Sequence, residues 1–66
     1  MKKMRLKELR NKKGVTQEQV AKAIGIPANN YARYERNERN PDYDTLKLLA
    51  TYFETSVDYI IGYSEG

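Results

Sequence analysis

Five short α-helices and no strand are what this 66-residue sequence predicts. Three observations lead there. Apolar residues recur at helical spacing, as in Leu46, Leu49, Ala50 and Phe53, which follow the i, i+3, i+4, i+7 pattern. Turn and cap residues cut the chain into five segments: Gly14, the Gly25-Ile26-Pro27 corner, Asn37 through Pro41, Glu54 through Ser56, and Gly62. No run of strand length alternates apolar with polar side chains. Residues 1–66 are expected to form one compact all-α domain, since so short a chain leaves no room for a second.

The first helix is expected over about 4–13. Leu6 and Leu9 form a narrow apolar stripe, and Gly14 suits the left-handed position after a helix end. The second, over 16–24, has the clearest start. Thr16 and Gln19 have the spacing of a capping box, and Val15 and Val20 that of a hydrophobic staple. Val20, Ala21 and Ile24 give its inward face.

The third helix is expected over 27–36, with Pro27 near the first turn, where its missing N–H costs little. At 100° per residue, Pro27, Tyr31, Tyr34 and Glu35 fall on one side. Asn29, Ala32, Arg33 and Arg36 fall on the other, a face that is polar, basic and free of acid. A fourth helix, 42–54, starts from an Asp42 cap. A fifth, 56–62, starts from Ser56 and carries Val57, Ile60 and Ile61.

Composition excludes several chemistries. The chain has no Cys and no His, so disulfides, thiolate metal sites and the commonest general base are absent. No catalytic residue, metal or cofactor is expected. Asp42 and Asp44 are the closest carboxylates in sequence, and capping explains them better than metal binding. The basic N-terminus is not followed by the roughly 7–15 apolar residues of a signal peptide, nor by the about 20 of a membrane span. A cytoplasmic protein is expected.

The net charge of +3 conceals an asymmetry. Eleven of the twelve Lys and Arg precede Asn40, against four Glu. Beyond it, Lys47 stands alone against Asp42, Asp44, Glu54, Asp58 and Glu65. A basic half suits a polyanion; it equally suits a solvated charged surface.

Helices two and three meet at a tight corner containing Gly25, the spacing of a helix-turn-helix and of generic helical hairpins alike. The residues around the corner separate the two. The segment TQEQVAKAIGIPANNYARYE resembles the Cro-like and lambda-repressor-like (XRE) helix-turn-helix family. Ala21, Gly25, Ile26, Tyr34 and Glu35 fall where that family places its alanine, turn glycine, turn apolar residue, aromatic and glutamate. The resemblance continues through NPDYDTLKLLATYFETSVDYIIG and covers about residues 4 to 62. Three positions depart from it: Pro27 replaces a Ser or Thr cap, Tyr31 an Ile or Val, and Thr55 a branched apolar residue.

The resemblance implies a five-helix DNA-binding domain, bacterial or phage-encoded, acting as a sequence-specific transcriptional repressor. The third helix would lie in the major groove of an operator. Ala28, Asn29 and Arg33 match the family's base-contacting positions, and Ala32 adds a methyl on the same face. The chemistry agrees: Asn pairs with adenine, Arg with guanine, and a methyl with thymine. Gln17 would meet phosphate at the start of the second helix, with Asn30, Arg36, Asn37, Arg39 and Asn40 flanking the groove. Arg10 and Glu35 match a structural ion pair. A homodimer on a pseudo-palindromic double-stranded operator is implied, with Tyr59, Ile60, Ile61 and Tyr63 as its candidate interface. The alternative from another class is an antitoxin-like or adaptor module whose main partner is a protein. No small-molecule ligand and no membrane partner are expected.

Overall fold

The computed structural model describes residues 4–62. Five α-helices follow one another: α1 Leu6–Lys13, α2 Gln17–Ile24, α3 Ala28–Glu35, α4 Tyr43–Tyr52 and α5 Val57–Ile61. No strand occurs among the described residues. The five segments sit where caps and stripes predict them, and the differences lie at their ends.

α1 starts two residues later than expected, at Leu6. Its entry is held from outside the helix. The backbone N–H of Arg5 donates to the Ile60 carbonyl at 2.8 Å, and Arg5 Nη1 donates to the Tyr59 carbonyl at 3.1 Å. The first helix is thereby tied to the last, 54 residues on.

α2 has the capping box in full. Thr16 Oγ1 accepts from the Gln19 N–H at 3.1 Å, and Gln19 Oε1 accepts from the Thr16 N–H at 2.8 Å. Gly25 ends the helix at φ 80°, a conformation that costs a side-chain-bearing residue about 1–2 kcal/mol. Its N–H and that of Ile26 both donate to the Ala21 carbonyl, and the chain reverses.

α3 opens at Ala28 because Pro27 is the cap itself, extended at φ −63° and ψ 141°. Proline has no side-chain acceptor, so the Pro27 carbonyl alone starts the ladder, accepting from Asn30 and Tyr31. α3 and α4 both end on a non-glycine residue in the left-handed region, Asn37 at φ 60° and Glu54 at φ 56°. Behind each, the next N–H reaches back into the last turn: Glu38 to Arg33, and Thr55 to Ala50. This second turn is why α4 stops at Tyr52 rather than continuing to Glu54. Asp42 caps α4 through the Thr45 N–H at 2.8 Å, and Ser56 caps α5 through the Tyr59 N–H at 3.0 Å.

The core draws on every helix. Leu6, Val20, Tyr31, Leu49 and Ile60 are its largest fully buried side chains, with Ala21, Tyr34, Ala50 and Phe53 around them. α2 packs on α3 and α4, α4 on α5, and α1 on α3. Tyr31, where the family has a smaller branched residue, is 0% exposed and fills the space beneath α3.

One expectation is corrected here. Ile60 was a candidate for a dimer interface, but its side chain lies wholly within the chain's own core and offers no surface. Tyr59 is already engaged: the Arg5 guanidinium stacks over its ring at 4.2 Å, and its hydroxyl donates to Glu8 at 3.4 Å. Of the same candidate set, Ile61 is half-buried against the core, and Tyr63 lies outside the described residues.

Candidate nucleic-acid interface

The third helix presents two unlike sides. Tyr31 and Tyr34 point into the core. Asn29 and Arg33, one turn apart, are exposed on the opposite side. Ala32 is half-buried between them. Ala28 is half-buried and packs against the core, so its methyl is only partly available at the front of the helix. Asn30 is also half-buried. The outward side therefore narrows to an amide and a guanidinium on a rigid stem.

Beneath this helix sits a polar cluster built around one carboxylate. Glu35 Oε2 accepts from Arg10 Nε at 2.7 Å. Glu35 Oε1 accepts from Arg10 Nη2 at 3.3 Å and from Gln17 Nε2 at 2.9 Å. Arg10 Nη1 donates in turn to the Val15 carbonyl at 3.1 Å, which ties it to the loop before α2. Three helices thus converge on Glu35, whose side chain is 3% exposed.

Burial alone would push the Glu35 carboxyl upward. The hydrogen bonds from Arg10 and Gln17, with the Tyr31 hydroxyl close by, outweigh it, and the group is held below the ordinary carboxylate range. The hydrogen bond to Glu35 correspondingly raises Arg10. The Tyr31 hydroxyl is buried beside the pair without a well-formed hydrogen bond. Burial first, and then the adjacent Glu35, drive it far above the ordinary phenol value.

Gln17 therefore occupies two positions at once. One amide hydrogen is committed to Glu35; the other remains, at the positive end of the α2 dipole. The sequence contained no local sign of this bond, because its partners lie 18 residues apart. A second unforeseen contact lies past the end of α3. Arg36 makes a two-pronged pair with Glu38, with Nε to Oε2 at 2.9 Å and Nη2 to Oε1 at 3.2 Å. Both side chains are solvent-exposed, so the pair is weak and opens readily. Asn37, Arg39 and Asn40 follow along the α3–α4 loop, all exposed.

Among the described residues, no group of His, Cys, Asp and Glu is arranged to hold a metal ion. Among the same residues, no helix is long and apolar enough to cross a membrane.

Two helices about a glycine corner, the second turned outward, define a helix-turn-helix domain of the Cro-like and lambda-repressor-like class. The chain belongs to the helix-turn-helix family, whose model matches residues 6–60. It is 46% identical over 61 residues to the HTH-type transcriptional regulator ImmR of Bacillus subtilis, covering 92% of this chain and 48% of that protein. It is 30% identical over 61 residues to the cryptic phage CTXphi transcriptional repressor RstR of Vibrio cholerae, covering 92% and 55%. Among solved structures it resembles a transcriptional regulator from Listeria innocua, with TM-score 0.82 and 33% identity over 92% of this chain and 57% of that one. The restriction-modification controller protein C.AhdI from Aeromonas hydrophila superposes with TM-score 0.79 and 32% identity, covering 85% of both chains. The chain spans about half the length of the curated relatives it matches.

Proposed function

We propose that this chain binds an operator in double-stranded DNA and represses transcription there, with α3 in the major groove. The observation that carries this reading is the pairing of Asn29 and Arg33 on the exposed side of a helix whose other side is locked by two buried tyrosines. An amide and a guanidinium one turn apart can each make two hydrogen bonds to a purine edge, Asn29 to adenine and Arg33 to guanine. Ala32 supplies a methyl between them, and Ala28 a partly shielded one at the helix start.

Phosphate contacts flank this stripe. Gln17 offers its remaining amide hydrogen, and its orientation is held by Glu35. Arg39, Asn37, Asn40 and the half-buried Asn30 are free to meet the backbone on the other side of the groove. Arg36 joins them by exchanging Glu38 for a phosphate, an exchange between solvated partners that costs little. One such domain spans few base pairs, so two copies on a pseudo-palindrome are needed for useful selectivity. Its relatives are described as transcriptional regulators, one of them as a phage repressor, which supports this reading.

Selection of bound duplexes from a random pool tests the proposal. Enrichment of a two-fold symmetric site is expected, its half-sites about one helical turn, or roughly 34 Å, apart. A pool that stays unenriched at physiological salt removes DNA reading and leaves protein recognition as the function of the same fold.

A further inference from the structure

We propose that the solvent face of α4 is a self-association surface, through which two copies of this chain pair antiparallel about a twofold axis. The inference rests on the DNA-binding reading for its setting, since two copies must meet on one operator, and on the structure for its location.

Tyr43 and Leu48 are the large apolar side chains left exposed among the described residues, at 66% and 49%. Both belong to α4, and neither faces the core that Leu49, Ala50 and Phe53 fill from the other side of that helix. They share their side with Asp44, Lys47 and Thr51, all exposed. At 3.6 residues per turn these five positions span an arc of about 140°. The Lys47 ammonium lies 5.5 Å from the centre of the Tyr43 ring, which draws its methylene stem along this face. Asp44 and Lys47 make no ion pair among the described residues.

The spacing of these residues identifies the occupant. A twofold axis crossing α4 midway between Thr45 and Leu46 sets Tyr43 against Leu48 of the second copy. The same axis sets Asp44 against Lys47 of the second copy. Twofold symmetry produces each contact twice, so four residues supply two apolar contacts and two ion pairs. Parallel pairing would instead stack Asp44 on Asp44 and Lys47 on Lys47, which repels. α5 has less to offer, because Ile60 is internal and Tyr59 lies beneath Arg5. One helix-on-helix contact falls below the roughly 800 Å² per partner of a standard interface. The pair is therefore weak in free solution and forms when adjacent half-sites hold two copies together.

The natural absence of cysteine makes the test clean, because introduced thiols report alone. Tyr43→Cys mixed with Leu48→Cys on the selected two-half-site duplex is expected to give a disulfide-linked heterodimer. Leu48→Cys by itself should cross-link far less. Lys47→Glu should lower affinity for the two-half-site duplex about tenfold relative to a single half-site. Combining it with Asp44→Lys should restore that ratio. Thermal melts confirm that each variant folds, and Tyr43, Asp44, Lys47 and Leu48 are all exposed. Cross-linking through Ile61→Cys in place of the Tyr43–Leu48 pair, or a double charge swap that restores nothing, would overturn the α4 surface while leaving DNA reading intact. Should wild type select no duplex, sedimentation at millimolar concentration decides instead. A dimer dissociated by Leu48→Glu supports the surface, and a monomer throughout refutes it.

Discussion

Arg10 at the end of α1 and Glu35 at the end of α3 are joined by a 2.7 Å hydrogen-bonded ion pair across 25 residues of chain. The pair is well shielded, with side chains 15% and 3% exposed. It binds the first helix to the underside of the outward-facing one. Because Gln17 donates to the same carboxylate, it also holds α2 at a set position relative to α3.

Removing one partner strands the other. Glu35→Ala leaves the Arg10 guanidinium shielded and unpaired, and is expected to cost about 3–5 kcal/mol. Marginal stability is the rule for domains of this size, so the loss should bring the variant close to unfolding at room temperature. Urea denaturation of Glu35→Ala, Arg10→Ala and the double variant forms a cycle that isolates the coupling. Additive losses below about 0.5 kcal/mol each would mean that the pair carries no more than an exposed surface bridge.

Stability should also depend on pH at both extremes. The Glu35 carboxyl is lower in the fold than in the unfolded chain, so its contribution is complete above the ordinary glutamate value. It is lost as pH falls below that value and through the folded one. Asp42, lowered by its cap bond to Thr45, and Glu38, lowered by Arg36, add smaller acid-side effects. Tyr31 runs the other way. Its hydroxyl is raised by burial, so its contribution is complete below the ordinary phenol value of about 10 and declines as pH rises beyond it. Denaturation midpoints across pH, repeated on Glu35→Gln and Tyr31→Phe, should flatten the acid and alkaline limbs separately. An alkaline limb unchanged in Tyr31→Phe would assign it to other groups.

Reading and holding separate at two arginines. Arg33→Ala is expected to cost about 1–3 kcal/mol on the selected duplex and much less on scrambled DNA, relaxing preference at one base pair per half-site. Arg39→Ala should weaken both duplexes alike and make the salt slope shallower by about one for each phosphate left without its arginine. Binding of both variants to both duplexes over a salt series measures this. An unchanged ratio of specific to nonspecific affinity in Arg33→Ala would move base reading to another residue.

Glu54 offers a gain rather than a loss. It occupies the left-handed region at φ 56°, where a side-chain-bearing residue is strained by about 1–2 kcal/mol. Glycine relieves that strain but adds freedom to the unfolded chain, which returns part of the gain. Glu54→Gly should therefore raise stability by up to about 1 kcal/mol, visible as a higher melting temperature. A lower one would show that the Glu54 side chain makes a contribution exceeding the strain.

The residues themselves determined whatever depends on near neighbours. The Thr16–Gln19 box, the Asp42 and Ser56 caps, the Gly25 corner and the stripe through Leu49 and Phe53 operate over one or two helical turns. Their spacing alone is enough to place the five helices and the two sides of α3. Only the folded chain decided matters of direction and distant partnership. Gln17 could be placed at a helix start, but its attachment to Glu35 exists because α2 and α3 pack together. Ile60 and Ile61 are equivalent in a five-residue helix too short for a stripe to resolve. The rotation of α5 against α4 buries one and leaves the other at the rim. Leu48 reads as one more leucine in an apolar helix. Its exposure follows from which side of α4 meets α2, a choice that packing energy makes across the whole core.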